Sequence, residues 1–214
     1  MQESPTPGKF VVIEGIDSRE IEEQGEGLYG WLREDRVKVH LTREPSDGPF
    51  GSQIRFILDG RLDIDEVTLA LFFATDRMDH LNKKGGVLER IASGEHVICL
   101  RYYLSSLAYQ ALHSDMKWLR WINAECRPPD LTLFLNTPIS AYLENLVKTN
   151  LYTADKLEQE RKMLKKVQGN YRTAIELLRV EGEKIVIIES NRPSAAIARD
   201  IKRHVIDLMG QGSA

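Results

Sequence analysis

Residues 9–26 read KFVVIEGIDSREIEEQGE, and this stretch decides the fold. It opens with an apolar run of strand length, residues 9–14, that is rich in β-branched side chains. Gly15, an acidic residue and a predicted helix follow the run. A strand, a glycine and then a helix form the setting of a phosphate-binding P-loop.

The loop itself lacks the residues that phosphate binding requires. A P-loop needs glycines, so that backbone N–H groups can wrap the phosphates. It also needs a lysine at the β- and γ-phosphates and a serine or threonine on the metal ion. Ser18, Arg19 and Glu20 replace the glycine-rich stretch, and Ile21 and Glu22 occupy the lysine and hydroxyl positions.

The charge of this segment is also unusual for a phosphate site. Residues 17–26 contain five acids and one arginine, a local charge of −4 that would repel a nucleoside triphosphate. Carboxylates in the first turn of a helix are favoured by the helix dipole, by about 0.3–1 kcal/mol each. We expect the negative charge of these carboxylates to lie where a phosphate group would sit in a P-loop. The alternative is a carboxylate cluster that holds Mg²⁺.

The rest of the chain predicts a parallel sheet. Four further apolar runs of strand length lie at residues 37–41, 96–100, 131–135 and 184–188. They are nearly continuous in apolar character, which is typical of strands covered on both faces. Helical patterns lie at residues 65–91, 104–113, 115–126, 155–179 and 193–209. This alternation predicts one α/β domain over residues 1–214, with ligands at the carboxyl ends of the strands.

Composition excludes several classes of protein. The 214 residues carry a net charge of −3, whereas a general nucleic-acid binder is usually basic. No apolar run approaches the ~18 residues of a membrane span, and residues 1–8 contain no signal-peptide core. The two cysteines form no CxxC or Cys/His cluster. We therefore expect a cytoplasmic protein with no metal site, no nucleic-acid partner and no membrane partner.

Five stretches carry a more specific signal. They are FVVIEGID at the first strand, TREPSDGPFGSQIR after the second, LFFATDR within a helix, RYYLSSLAYQ after the third strand and RPPDLTLFLNTP at the fourth. In their order and spacing they resemble thymidylate kinase (dTMP kinase), of the nucleoside monophosphate kinase group. The resemblance runs from about residue 9 to residue 209. It implies a three-layer α/β sandwich of the P-loop kinase type, with a five-stranded parallel sheet, and a homodimer through helices on one side of the sheet.

The resemblance implies a pocket for dTMP or a related nucleotide. Phe73 matches the family's ring that stacks on thymine, Arg43 lies in the T-R-E-P loop that approaches the monophosphate in the family, and Asp17 matches the family's acidic residue near the sugar hydroxyl. A stacking ring, polar groups for base edges and guanidinium groups for phosphate oxygens suit such a ligand. The remaining predicted substrate-binding residues are Arg77, Arg101 of the D-R-Y/H motif, and Ser106, Tyr109 and Gln110 of the S-x-x-A-Y-Q stretch.

Each of these residues also has a purely structural explanation. Phe73 lies in an apolar helix and could be a core residue. Arg43 and Arg77 could be partners in surface ion pairs, and Arg101 could pair with a neighbouring acid. The resemblance favours the binding role for all four.

The ATP side of the site departs from the family at three places. Ile21 and Glu22 replace the P-loop lysine and hydroxyl, and Leu100 replaces the aspartate of the D-R-Y/H motif. The lid segment, about residues 144–156, contains no arginine, although Lys148 and Lys156 could substitute in part. Phosphoryl transfer depends on positioning and charge neutralisation, so these losses together would remove nearly all of the catalysis.

These departures lead to three hypotheses. The first is a pseudoenzyme that keeps a monophosphate pocket, needs no cofactor and has no confident catalytic residue. The second is an active dTMP kinase with a rebuilt donor site, which would use ATP and Mg²⁺ and in which Arg43 and Arg101 would be the catalytic candidates. The third is a structural subunit that binds a partner and no nucleotide.

Overall fold

A computed structural model describes residues 6–147 and 154–210 of the chain. The strands are β1 (Phe10–Gly15), β2 (Val39–Arg43), β3 (His96–Leu100), β4 (Leu131–Asn136) and β5 (Ile185–Glu189). They form one sheet in the order β2-β3-β1-β4-β5, and every neighbouring pair is parallel. Each strand lies within two residues of its predicted position. The predicted α/β class and five-stranded parallel sheet are confirmed.

Helices cover both faces of this sheet. They are α1 (Ser18–Glu34), α2 (Pro49–Leu58), α3 (Glu66–Asn82), α4 (Val87–Ala92), α5 (Tyr103–Tyr109), α6 (Met116–Ile122), α7 (Ile139–Val147), α8 (Ala154–Val180) and α9 (Ser194–Gly210). A 3-10 turn, Gln110–Leu112, follows α5. Within the described ranges, no helix has the length and hydropathy needed to cross a membrane.

The core consists of two apolar clusters separated by the sheet. Phe10 and Val12 of β1 belong to the cluster that α3, α4, α5 and α8 cover. Val11 and Ile13 belong to the cluster that α1 and α9 cover. Successive side chains of a strand point to opposite faces, so a strand buried on both faces must be apolar throughout. The continuous apolar run in β1 therefore reflects its central place in the three layers.

The helix predicted at residues 65–91 is wrong as a single element. It divides into α3 and α4, because the chain turns between Asn82 and Val87. Gly85 in this turn has φ +70°, a left-handed conformation that favours glycine. A Cβ on Gly86 would lie 2.6 Å from the Lys83 carbonyl oxygen. Two consecutive glycines thus interrupt the helix, although the apolar pattern continues across the break.

Two helices were not predicted from the sequence. The segment TREPSDGPFGSQIR contains the first part of α2, which begins at Pro49 directly after Gly48. Proline in the first turn of a helix is a common start signal. Its fixed φ suits the helix, and the N–H that it lacks would have no partner within the helix at that position. α7 lies at the start of the predicted lid, of which residues 148–153, including Lys148, lie outside the described residues.

Candidate functional site

A cavity of about 460 Å³ lies at the carboxyl ends of β1, β2 and β3. Side chains from α1, α2, α3, α5, α7 and α8 close around it. Among the residues predicted from the sequence, those that line it are Arg43, Phe73, Arg77, Arg101, Ser106, Tyr109 and Gln110, together with Ser18, Ile21, Glu22 and Leu100. Asp17, Arg19 and Glu20 are outside this lining. The sheet edge therefore gathers most of the predicted site into one cavity.

The segment after β1 forms a helical turn where a P-loop would form an open cradle. α1 begins at Ser18, and Asp17 is its N-cap. The Asp17 carboxylate accepts hydrogen bonds from the backbone N–H groups of Arg19 (3.0 Å) and Glu20 (3.4 Å). Aspartate is among the best N-cap residues, because it satisfies donors that the helix leaves unpaired. These donors therefore already have a partner within the chain.

The two apolar replacements lie in the core. Ile21 is 1% exposed and Leu100 is 3% exposed, and both belong to the cluster between the sheet and the α1–α9 layer. They also form part of the cavity wall. The positions at which the resemblance implies a lysine and an aspartate in the family are thus filled by side chains that avoid water. This surface offers dispersion contacts and no charge to a ligand.

Glu22 of α1 lines the cavity and forms an ion pair there. Its carboxylate lies 3.4 Å from an Nη atom of Arg43 at the end of β2. Both side chains are about half exposed, 51% for Glu22 and 49% for Arg43. An ion pair this open contributes only about 0–1 kcal/mol to stability, because water screens the charges. Arg43 is therefore an ion-pair partner, as the structural alternative anticipated, and it still lines the cavity.

Arg101 is held by groups of the chain itself. Its guanidinium donates hydrogen bonds to the Gly15 carbonyl (2.9 Å) and to the hydroxyls of Ser18 (2.9 Å) and Ser105 (3.1 Å). The same group lies 5.7 Å from the centre of the Tyr109 ring. Arg101 has φ +67°, a left-handed conformation that is uncommon outside glycine. The end of β3 is thus tied to the junction between β1 and α1.

Glu14 of β1 has a buried carboxylate that binds the segment just after Arg101. It accepts hydrogen bonds from the N–H groups of Tyr102 (2.8 Å) and Ser105 (3.1 Å) and from the Ser105 hydroxyl (2.6 Å). These donors lie at the start of α5, so Glu14 serves as its cap from another strand. Burial raises the pKa of Glu14, and the nearby Arg101 charge opposes that shift. The sequence signal for this residue is a lone acid at the end of an apolar run.

Arg77 is a buried residue with several partners. It is 1% exposed, and its Nε donates to the Glu44 carboxylate at 2.7 Å. One Nη donates to the side-chain oxygen of Asn123, and the other to the Ser106 hydroxyl at 3.1 Å. Burial alone would lower the pKa of Arg77, but the Glu44 charge, its hydrogen bond and smaller contributions from Cys126 and Tyr102 together outweigh burial, and the pKa is raised. Arg77 thus borders the cavity as a positive charge whose hydrogen bonds reach into the protein.

The other predicted ligand-facing side chains surround Arg77 in the cavity wall. Phe73 lies one turn before it on α3 and is partly exposed. Tyr109 ends α5, and its ring meets the edge of Tyr171 at a centroid distance of 6.1 Å. Gln110 begins the 3-10 turn. A ring, a phenol and an amide therefore lie around one apolar cavity, which is the usual character of a small-molecule site.

The side of the cavity formed by α7 and α8 was not assigned from the sequence. Tyr142 of α7 and Glu160, Met163 and Leu164 of α8 line it. Burial raises the pKa of Glu160. Met163 and Leu164 follow the helical pattern of a core face, so nothing in their sequence distinguishes them from packing residues. This side of the cavity, formed by residues that flank the predicted lid, thus contributes mainly apolar groups and one carboxyl.

One buried cluster has the side chains of a metal site. Potential ligand atoms of Glu44, His80 and Cys99 lie within 4.8 Å of one another. Each of them already has a partner in the protein. Glu44 holds Arg77, His80 pairs with Glu44 (3.3 Å) and Thr42 (2.8 Å), and the Cys99 thiol donates to a backbone carbonyl. A cation would meet the buried Arg77 charge, so the cluster is better explained as a hydrogen-bond network.

Comparison with known proteins agrees with this geometry. The sequence model of the family described as Thymidylate kinase matches residues 13–201. The chain is 35% identical over 171 residues to a probable thymidylate kinase of Pyrococcus horikoshii, with 77% of this chain and 81% of that protein covered. It is 34% identical over 204 residues to a probable thymidylate kinase of Thermococcus gammatolerans, with 91% and 94% covered. A putative thymidylate kinase of Treponema pallidum is 30% identical over 200 residues, with 92% and 94% covered. The matched region includes every residue that lines the cavity.

Proposed function

The chain belongs to the thymidylate kinase family, and we propose that it is a member that binds dTMP or a related nucleotide without phosphorylating it. The observation that carries this proposal is the helical turn at Ser18, capped by Asp17, at the position of the P-loop. Phosphoryl transfer requires a phosphate cradle, a lysine and a metal ligand. The residues present at these positions do not fit ATP and Mg²⁺.

The loss is supported by packing as well as by residue type. A lysine at position 21 would have to leave the apolar cluster that Ile21 fills. Glu20 and Glu22 place carboxylates at the start of α1, where a triphosphate would carry its charge. Burial raises the pKa of Glu20, and the nearby Glu23 and Asp17 charges add to that shift, while Gln24 opposes it. The segment thus already contains crowded negative charge before any ligand arrives.

The nucleotide pocket is supported by the other half of the cavity. Phe73 offers a partly exposed ring for the base, Gln110 an amide for its edge, and Arg43 a half-exposed guanidinium for the phosphate. Of the predicted phosphate-facing arginines, Arg43 has the most exposed side chain, whereas Arg77 is buried and paired with Glu44. We expect dTMP affinity in the micromolar to millimolar range, about −8 to −4 kcal/mol.

Calorimetric titration and a coupled kinase assay test this proposal together. We expect heat of binding with dTMP, none with ATP and Mg²⁺, and no turnover. Phe73→Ala should weaken dTMP binding by about 1–3 kcal/mol, the scale of base stacking on an aromatic side chain. Turnover of ~1–100 per second would instead establish an active kinase with a rebuilt donor site. Binding of neither ligand would favour the structural-subunit hypothesis.

The expected homodimer also becomes a specific proposal. Large apolar side chains are exposed on the packed pair α2 and α3, including Phe56 (46%), Val67 (46%) and Leu71 (44%). We propose that a second copy of the chain covers this surface, because contiguous exposed apolar groups mark interaction sites. Leu71→Asp should convert a dimer into a monomer in analytical ultracentrifugation. Ile206→Asp, on the exposed face of α9, is the control and should leave the mass unchanged.

A further inference from the structure

Four arginines line the cavity, and they differ in how firmly the protein holds them. Three donate to backbone carbonyls, hydroxyls or a buried carboxylate of the chain: Arg55, Arg77 and Arg101. The fourth, Arg43, is half exposed, and in the described part of the chain the charged group it contacts is Glu22. An anion that enters the cavity would therefore meet Arg43 as its most available cation.

Glu22 competes for the same guanidinium. Its carboxylate lies 3.4 Å from Arg43 Nη1, and its side chain is half exposed, so it can leave without opening the core. A carboxylate and a phosphate bind a guanidinium through the same type of charge-assisted hydrogen bond. A phosphate that reaches Arg43 must displace Glu22 and then lie close to its negative charge. A ligand without a phosphate pays neither of these costs.

We propose that Glu22 is a specificity-determining residue, which occupies Arg43 as an internal anion and shifts the cavity towards neutral nucleosides over their 5′-monophosphates. This inference rests on the proposed nucleotide-binding function and names the ligand feature that the site disfavours. The apolar wall at Ile21 and Leu100 is consistent with it, because that side of the cavity offers no charge to a phosphate.

The neighbouring residue offers a matched control. Glu23 follows Glu22 in the same turn of α1 and is also exposed, but it is outside the cavity lining. Its carboxylate accepts a hydrogen bond from the Ser194 hydroxyl. Glu22→Gln and Glu23→Gln therefore remove the same charge from the same helix turn. Only the first removes it from Arg43.

The test is calorimetric titration of thymidine and of dTMP into the wild type and three variants. We expect Glu22→Gln to strengthen dTMP binding about two- to fivefold, the scale of one exposed charge pair, with thymidine changed less than twofold. Glu23→Gln should change either affinity less than twofold. In the double variant Glu22→Gln/Arg43→Gln the gain for dTMP should disappear, because the cation that benefits is gone.

Several results would overturn the inference. If the wild type binds both ligands and Glu22→Gln changes neither, or strengthens both equally, Glu22 does not select against phosphate. An equal gain with Glu23→Gln would assign the effect to overall charge. If no variant binds thymidine or dTMP, the proposed nucleotide function fails together with this inference. The thermal midpoint of each variant shows that it is folded, and the exposure of both glutamates makes that the expected result.

Discussion

Leu100 packs against the bare backbone of Gly25, so closely that a Cβ at position 25 would lie 2.3 Å from Leu100 Cδ2. Gly25 is buried in the middle of α1, where glycine is about 1 kcal/mol less favourable than alanine. The contact explains why glycine is favoured there, because a side chain at position 25 would force Leu100 to shift within the cluster it shares with Ile21. The replacement at the end of β3 and the glycine in α1 therefore form one packing unit.

Gly25→Ala should destabilise the protein by about 1–3 kcal/mol, the usual effect of overpacking a core. The helix-propensity gain of alanine is smaller than that loss. In a Leu100→Ala background the same change should be close to neutral or stabilising, because the obstructing side chain is gone. Urea denaturation of the two single variants and the double variant measures the coupling.

Gly27 is the control for this cycle. It lies in the same helix, and a Cβ there would have no heavy atom within 4 Å. Gly27→Ala should stabilise the protein by about 0.5–1 kcal/mol. A Gly25→Ala variant as stable as Gly27→Ala would show that the packing against Leu100 is looser than described.

Ile21→Lys places a lysine where the resemblance implies the family's P-loop lysine, at a position that lies in the core. We expect a loss of about 3 kcal/mol or more, because the ammonium group must leave water without a partner or displace its neighbours. We also expect no ATP-dependent thermal shift, since the helical turn is unchanged. Ile206→Lys makes the same substitution at a residue that is 53% exposed and should change stability by less than about 0.5 kcal/mol. Similar losses in the two variants would contradict the burial argument.

Arg77 and Glu44 form a buried ion pair, and removing one partner should lower the stability of the protein by a predictable amount. Arg77→Met leaves the Glu44 charge buried without its main partner and should cost about 3–5 kcal/mol. Arg77→Met/Glu44→Gln should recover part of this loss, because no uncompensated charge remains. Chemical denaturation measures the free energy of unfolding of both variants and shows whether the second substitution recovers stability. A double variant no more stable than Arg77→Met would mean that the contacts to Asn123 and Ser106 dominate.

His96 should make stability depend on pH below neutrality. Its Nδ1 accepts a hydrogen bond from the Lys9 N–H at 2.9 Å. Burial, and then the Lys9 charge, lower the pKa of His96 from its usual 6.5. The folded protein therefore favours the neutral ring, and this contribution is present above pH 6.5 and is lost as the pH falls through the lowered value.

His96→Gln should remove that dependence. Thermal midpoints of the wild type and the variant, measured between pH 8 and pH 5, should converge or cross as the pH falls below about 6.5. His113→Gln, at an exposed histidine, should keep the wild-type profile. A His96→Gln profile parallel to that of the wild type would rule out a contribution from this ring.

The sequence alone is sufficient to predict the sheet and most of the residues that line the cavity. Strands buried on both faces leave a continuous apolar signal, and cavity-lining residues such as Arg43 and Arg101 lie at the last position of a strand or directly after it. The break before α4 was missed, because the apolar pattern continues across Gly85 and Gly86. The partners of Arg43 and Arg77 could not be identified either. Glu22 and Glu44 reach them only through the tertiary fold, which a linear pattern does not encode.

The Asp17 cap has a consequence for how this protein responds to its surroundings. A loop that must close on a nucleotide gains stability by mass action, in proportion to the logarithm of the ligand concentration above its dissociation constant. Asp17 is part of the chain, so its carboxylate is always close to the N–H groups of Arg19 and Glu20. Its effective concentration at these groups is constant, whereas the concentration of a free ligand varies. The first turn of α1 is therefore completed by the polypeptide alone, to the same extent in a starved cell and in a growing one.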